Sequence, residues 1–155
     1  MVVSGVGSTE PPKSGGTGLA GAGAGRSALA GRDLLRIADL STAEVEAILD
    51  SAAELKAAPQ QLLPGRTLGL FFGQPSTRTR ISFSVAMAQL GGTPIMLLPS
   101  EMQLSRGESL EDTSQVLSRY LDALAIRILS HEELEAWAEA STIPVINALS
   151  EVEHP

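Results

Sequence analysis

The chain has 155 residues, enough for one domain with a hydrophobic core, and no cysteine for a disulfide, a thiol nucleophile or a cysteine-bound metal. Its formal net charge of −7 argues against nucleic acid and acidic membranes as partners, because both require clustered positive charge. No apolar run approaches the roughly 18 residues that a membrane span needs.

Residues 1–30 are rich in Gly, Ala, Pro and Ser and show no apolar period. Such a segment buries too little surface to offset its ordering entropy, so we expect a disordered head before one α/β domain over residues 31–155. The head lacks the basic start and apolar block of a signal peptide, and we expect a cytoplasmic protein. The alternative is a transit peptide to a plastid or the mitochondrial matrix, although only Arg26 and Arg32 supply the expected arginine.

Helical and strand-like segments alternate after the head. Ser41 and Glu44 form a capping box before apolar residues at helical spacing, which predicts a helix over 42–57 that ends before Pro59. Short apolar runs predict buried strands over 66–72, 94–98, 122–129 and 143–147. The intervening segments predict helices over 77–90, 110–121 and 131–140.

Strands separated by single helices predict parallel pairing through crossover connections. We therefore predict an open α/β sheet of about four parallel strands, covered on both faces, with the 42–57 helix packed against it. Ligands of such sheets bind beyond the carboxyl ends of the strands. We call this edge the carboxyl rim, and it should carry the segments 73–79, 99–109, 127–131 and 148–155.

The segment Ser76–Arg80 opens a helix directly after the first strand. The first backbone N–H groups of a helix have no internal partner and the macrodipole is positive there, so the segment is a candidate anion site. The side chains that would donate to the anion belong to Ser76, Thr77, Arg78 and Thr79. Neither a nucleotide P-loop nor a dinucleotide glycine pattern is present. The alternative is a serine-capped helix with exposed arginines.

A polar stretch before the hinge Gly107 forms the second segment of the rim. Gln103 and Arg106 in this stretch either reach an anion or lie on a mobile surface loop. Arg127 interrupts an apolar strand near its carboxyl end. Because a buried unpaired guanidinium is costly, Arg127 should have a carboxylate partner, reach solvent or meet an anionic ligand.

Two histidines fall on the rim. His131 stands beside two glutamates in the first turn of a predicted helix, and we expect it to be solvated. His154 follows the fourth strand and is structural, solvated or electrophilic. The rim has no Ser/His/Asp arrangement, no H-E-x-x-H and no carboxylate pair. The rim offers hydrogen-bond donors, and a site of this kind positions substrates and stabilises negative charge that develops during a reaction.

Several stretches together resemble the carbamoyl-phosphate half of ornithine carbamoyltransferase, in the aspartate and ornithine transcarbamylase superfamily. They are PSTRTR followed by SF, then QLGG, QLSRGESLEDTSQVLSRYLDALAIR and PVINALSEVEHP, and the resemblance covers about residues 33–155. The QLSRGE and VINAL stretches look more like the ornithine member than the aspartate member.

The resemblance implies a role for each matching residue. The phosphate of carbamoyl phosphate would be held by Ser76, Thr77, Arg78 and Thr79. Arg127 would contact the phosphate and the carbamoyl oxygen, and His154 would polarise that oxygen, which makes Arg78, Arg127 and His154 the implied catalytic residues. Gln103 sits where the family uses a loop that reaches the site of a neighbouring subunit.

The implied reaction is direct transfer of the carbamoyl group to the neutral δ-amine of L-ornithine, which gives L-citrulline and phosphate in arginine biosynthesis. No metal or organic cofactor is implied, and the family assembles as trimers or multiples of trimers, with sites between subunits. In the family a second domain, which binds the amino acid, follows the His-Pro pair, so we expect this chain to be one half of the enzyme and inactive alone. The alternatives are an aspartate-type or acylornithine transcarbamylase half, or a non-catalytic phosphate-binding module.

Overall fold

The computed structural model describes residues 29–154, and within them it confirms the predicted α/β architecture. The strands are β1 (Thr67–Phe72), β2 (Thr93–Leu97), β3 (Ala123–Arg127) and β4 (Val145–Asn147). The helices are α1 (Thr42–Ala57), α2 (Thr77–Gln89), α3 (Leu110–Leu117) and α4 (His131–Ala140). Short 3-10 turns cover Ile37–Asp39, Pro99–Glu101 and Gln103–Arg106. The predicted disordered head lies almost wholly outside the described residues.

The four strands form one parallel sheet in the order β2-β1-β3-β4, as predicted. The chain passes from β1 to β2 on one side, and then crosses to β3 on the other side of β1. The strand order therefore reverses between β1 and β3. In open parallel sheets this reversal leaves a crevice at the carboxyl ends of the two strands, where ligands bind.

Apolar side chains cover both faces of the sheet. Trp137 of α4 packs against Phe71 of β1 on one face, with ring centroids 5.1 Å apart, and both are buried. On the other face, Met87 of α2 joins the cluster that contains Leu70 and Ala125. Helices on both faces explain why the central strands are almost continuously apolar.

Two predictions about packing are wrong. β2 is an edge strand and is partly exposed, and Ile95 retains 38% of its accessible surface. α1 has no buried residue, and Leu49 on it is 63% exposed. α2 occupies the neighbouring face of the sheet, and α1 shares a cavity with it that is lined by Ala52 and Leu55 of α1 and Ala86 of α2. The apolar pattern of α1 predicts the helix correctly, but its many alanines give it little surface to bury.

A segment that the sequence did not predict covers the outer side of β4, the edge strand opposite β2. Leu34 forms a parallel bridge with Ile146, and its backbone bonds to Val145 and Asn147. The carboxylate of Asp33 accepts a hydrogen bond from the Val145 N–H at 2.7 Å. The edge of β4 is thus paired rather than open to another chain.

Candidate functional site

The crevice between β1 and β3 brings two predicted rim segments together. Phe72 pairs with Arg127 in the sheet register, and the Gly73 N–H donates to the Arg127 carbonyl at 2.8 Å. The loop from Gly73 to Ser76 therefore leaves β1 beside the end of β3. The start of α2 follows this loop and lies on the same rim.

The start of α2 differs from the starts of the other three long helices. All four have serine at the N-cap, and in three of them its hydroxyl accepts a backbone N–H three residues later, at Ser41, Ser109 and Ser130. Each of those helices also has an acidic residue in its first turn. Ser76 makes no capping bond, and the first turn of α2 contains no acid. The positive end of α2 is therefore left open to an external anion.

The predicted anion-binding side chains lie around this open end. Ser76 and Thr79 are half-buried, whereas Thr77 and Arg78 are exposed. No hydrogen bond or ion pair joins the Arg78 side chain to another residue within 29–154. The alternative of a serine-capped helix is wrong in its first part, since the hydroxyl does not cap.

Arg127 has no carboxylate partner among the residues that the structure describes. Its side chain is half-buried, and its Nε atom is buried without a hydrogen-bond acceptor in that part of the chain. A buried donor without an acceptor is uncommon and indicates a missing partner. Of the three alternatives from the sequence, the ion pair is not observed, and solvent or an anionic ligand remain.

A cavity of about 270 Å³, which we call the Arg127 cavity, opens beside this guanidinium. It is lined by Gln74, Pro75, Arg127, Ile128, Leu129, Leu149 and Ser150. Its walls thus come from the loops that follow β1, β3 and β4. Gln74 and Pro75 directly precede the open start of α2, so the cavity and the helix start are parts of one region.

A second cavity of about 600 Å³ lies next to it on the rim. Phe71, Gly73 and Gln74 line one side of it, and Pro99 and Leu104 belong to the loop after β2. Gln74 lines both cavities, which makes them neighbours. The sequence identified the loop after β2 as part of the rim, and this cavity is where it meets the loop after β1.

Gln103 and His154 are not brought to the Arg127 cavity. Gln103 is exposed at the start of a 3-10 turn that Gly107 ends in the left-handed conformation, with φ 97°. His154 is exposed, lines neither cavity and makes no hydrogen bond with residues 29–153. Pro155 lies outside the described residues.

The expectation that His131 is solvated is wrong. The residue is 3% exposed, and its ring bonds to Ser150 on the rim and to Arg36 in the segment beside β4. Neither contact has a local signal in the sequence, because the partners are 19 and 95 residues away. Within the described part of the chain, no group of three or more His, Asp or Glu residues is arranged to hold a metal ion.

The fold and the rim define an open parallel α/β domain with a candidate anion site at the switch point of its sheet. A family described as the aspartate/ornithine carbamoyltransferase carbamoyl-phosphate-binding domain matches residues 32–155. The chain therefore belongs to the aspartate and ornithine carbamoyltransferase family, as its N-terminal domain. No helix in the described range 29–154 combines the length and apolar character needed to cross a bilayer.

The individual relatives include several ornithine enzymes. The chain is 53% identical over 140 residues to an ornithine carbamoyltransferase of Parasynechococcus marenigrum, which is 90% of this chain and 44% of that protein. Among solved structures, the ornithine carbamoyltransferase of Pyrococcus furiosus is 48% identical with a TM-score of 0.78, and the match covers 82% of this chain and 42% of that one. The chain thus spans less than half the length of these relatives.

The fold is shared with the aspartate branch of the family. A putative aspartate carbamoyltransferase of Trypanosoma cruzi is 28% identical with a TM-score of 0.77, over 83% of this chain and 47% of that one. The two TM-scores are nearly equal, whereas the sequence identity is 48% to the ornithine enzyme and 28% to the aspartate enzyme.

Proposed function

We propose that this chain binds carbamoyl phosphate as part of an ornithine carbamoyltransferase, which transfers the carbamoyl group to the δ-amine of L-ornithine and releases phosphate. The observation that carries the proposal is the uncapped, acid-free start of α2 beside a buried Arg127 Nε without a partner in the described chain. Relatives named ornithine carbamoyltransferase, at 49–55% identity, support the choice of amine.

The phosphate would lie at the start of α2, where the backbone N–H groups and the side chains of Ser76, Thr77, Arg78 and Thr79 surround two or more of its oxygens. Arg127 would contact the phosphate and the carbamoyl oxygen from the end of β3. Because negative charge grows first on the carbamoyl oxygen and then on the leaving phosphate, both guanidinium groups would stabilise the transition state more than the substrate.

His154 would complete the site by polarising the carbamoyl oxygen. It directly follows Glu153, whose carbonyl accepts from the Ser150 N–H, but it is exposed and would have to turn toward the Arg127 cavity when the ligand binds. The neutral amine attacks the carbamoyl carbon, the C–O bond to phosphate breaks, and the proton that the amine loses passes to the departing phosphate. We assign recognition of ornithine to parts of the enzyme outside the matched region, because the matched relatives are more than twice as long as the match.

We also propose that the working enzyme is a homotrimer, that it is cytoplasmic and that it serves arginine biosynthesis. An edge of the domain supports self-association, since the apolar side chains of Ile95, Met96 and Leu98 each retain more than a third of their surface. Gln103 would reach the site of the neighbouring subunit from such an assembly. Light scattering coupled to gel filtration measures the mass directly, and a monomer at high protein concentration would contradict this assembly for the chain itself.

The binding proposal is tested by titrating the 155-residue chain with carbamoyl phosphate and following the backbone amide signals by NMR. The expected shifts are largest at Ser76–Thr79, and Arg78→Ala should abolish them. Arg119→Ala is the matched control, because Arg119 is exposed just before the start of β3, at the end of the sheet away from the carboxyl rim, and its removal changes the net charge equally.

Inorganic phosphate distinguishes the competing function. A non-catalytic phosphate-binding module should bind phosphate and carbamoyl phosphate with the same affinity. A carbamoyltransferase should prefer carbamoyl phosphate, because Arg127 gains a second acceptor in the carbamoyl oxygen. Unchanged binding in Arg78→Ala would contradict the assignment of the anion to the start of α2.

A further inference from the structure

The imidazole of His131 connects α4 to the turn after β4. Its Nδ1 atom lies 2.8 Å from the Ser150 hydroxyl, and its Nε2 atom lies 2.8 Å from the Nε atom of Arg36. Arginine only donates hydrogen bonds, so Nε2 is the acceptor and the ring proton is on Nδ1. His131 therefore donates to Ser150. Glu135 accepts from the other end of the Arg36 guanidinium at 2.9 Å. The same carboxylate oxygen lies 3.5 Å from Nε2, which is beyond the usual N–H···O distance, so Arg36 remains the hydrogen-bond partner of Nε2.

The turn that receives this hydrogen bond covers residues 148–153, and we call it the β4 turn. The Ser150 hydroxyl also accepts from the Asn147 amide at 3.2 Å, and it lies within 3.5 Å of the Glu153 carbonyl, to which it donates. The Asn147 side-chain oxygen accepts from the Leu149 N–H at 2.9 Å. The Ser150 hydroxyl thus uses its two lone pairs and its proton, and His131 supplies one of these three bonds.

The β4 turn has a strained backbone at Leu149, whose φ is 120°. Leucine in this region is disfavoured by its Cβ atom, and such a conformation persists only where the surrounding bonds hold it. Leu149 and Ser150 both line the Arg127 cavity. The strained part of the turn is therefore one wall of the candidate anion site, and the chain continues from it to His154.

We propose that His131 is a positioning residue for this site. By donating to Ser150, it holds the strained β4 turn against the Arg127 cavity and sets the direction in which the chain runs to His154. His131 lines neither cavity, so its side chain acts only through Ser150. Its backbone N–H also donates to the Glu151 carboxylate at 3.4 Å, and substitutions of the side chain keep that donor. The identity of the ligand in this inference rests on the proposed function, but the hold on the turn does not.

Two substitutions of His131 separate this role from simple packing. In His131→Asn the side-chain amide falls near the Nδ1 position and still donates to Ser150. In His131→Gln the amide falls near the Nε2 position and retains only the contact with Arg36. Both variants lose the ring from the same buried position, so each is the control for the other.

The experiment records two quantities on the full 155-residue chain and its variants. The first is the affinity for carbamoyl phosphate, from NMR titration. The second is the hydrogen-exchange rate of the Leu149, Ser150 and Glu151 amides, which all donate hydrogen bonds in or next to the turn. We expect His131→Asn to stay within about twofold of the wild-type affinity, and His131→Gln to bind about fivefold more weakly and to exchange faster at these amides, as expected for one lost hydrogen bond.

The opposite result is equally clear. If both variants lose thermal stability by the same amount and bind and exchange alike, His131 only fills space and the inference is wrong. If His131→Gln does not fold, Ser150→Ala offers a second test, because it removes the acceptor with a smaller change of volume. It should weaken carbamoyl phosphate binding and speed amide exchange in the same way. Wild-type affinity and exchange rates in Ser150→Ala would overturn the inference. A further outcome is that the wild-type chain fails to bind carbamoyl phosphate while the exchange rates still differ between His131→Asn and His131→Gln. In that case the proposed function fails and the hold of His131 on the turn is supported.

Discussion

Replacing Arg127 by leucine should leave the fold stable and remove anion binding. Removal of one partner of a buried ion pair typically costs about 3–5 kcal/mol. Arg127 has no such partner among the residues that the structure describes, and its Nε is buried and unsatisfied. An unsatisfied buried donor costs about 1–3 kcal/mol, and its loss offsets the altered packing of the stem at the end of β3. We therefore expect the free energy of unfolding to change by less than about 1 kcal/mol.

Urea unfolding with and without carbamoyl phosphate measures both effects in one assay. A ligand at ten times its Kd stabilises a protein by about 1.4 kcal/mol through mass action. The wild-type chain should show this gain, and Arg127→Leu should show none. Arg119→Leu removes the same charge from an exposed position and should keep the full gain.

Two results would refute this reasoning. A loss of 3 kcal/mol or more without ligand, on the scale of a broken buried ion pair, would show that Arg127 has a structural partner. An undiminished ligand effect in Arg127→Leu would show that the guanidinium does not face the anion. The two results are independent, because the first is read without ligand and the second is a difference between two curves of the same variant.

Three further predictions test other parts of the structure. Ser76→Ala should leave thermal stability nearly unchanged because its hydroxyl caps nothing, whereas Ser41→Ala should cost about 1 kcal/mol; equal losses would contradict the open start of α2. The hydrogen bond from the Thr67 N–H, followed by that from Arg66, lowers the pKa of Asp122 below its ordinary value of 3.8. The stabilisation from ionised Asp122 is present above that value and is lost as the pH falls through the lower pKa of the folded state. Asp122→Asn should therefore flatten the acid limb of a curve of stability against pH. Parallel curves for the variant and the wild type would contradict this role. Trp137→Ala should cost about 3–5 kcal/mol in chemical unfolding, because the side chain is fully buried against Phe71, and a loss below 1 kcal/mol would be inconsistent with that packing.

Local signals in the sequence predicted the elements well. The helices α1 and α4 have the predicted bounds, because a serine followed three residues later by glutamate caps each of them by direct contact. The parallel sheet followed from the alternation of helices and strands. These signals act over a few residues, so a single sequence contains them completely.

Long-range contacts were not predictable in the same way. Whether β2 is central or at an edge depends on the strand order, which its own residues do not encode. Leu34 pairs with Ile146, and the buried His131 bonds to Arg36. Each of these contacts joins residues about 100 positions apart in the chain. For the candidate site, the sequence placed the start of α2 and Arg127 on one rim, but it did not reveal that Ser76 leaves its helix uncapped. The roles of Gln103 and His154 stay predictions.

The bridge between Leu34 and Ile146 has a consequence for protein engineering. The segment around Leu34 runs parallel to β4, and the Ile37 N–H donates to the Glu153 carboxylate at 3.2 Å. These bonds occupy the outer edge of β4, which would otherwise be free to pair with another chain. Shortened forms of the domain should therefore begin before Asp33, because a later start would uncover β4 and favour aggregation.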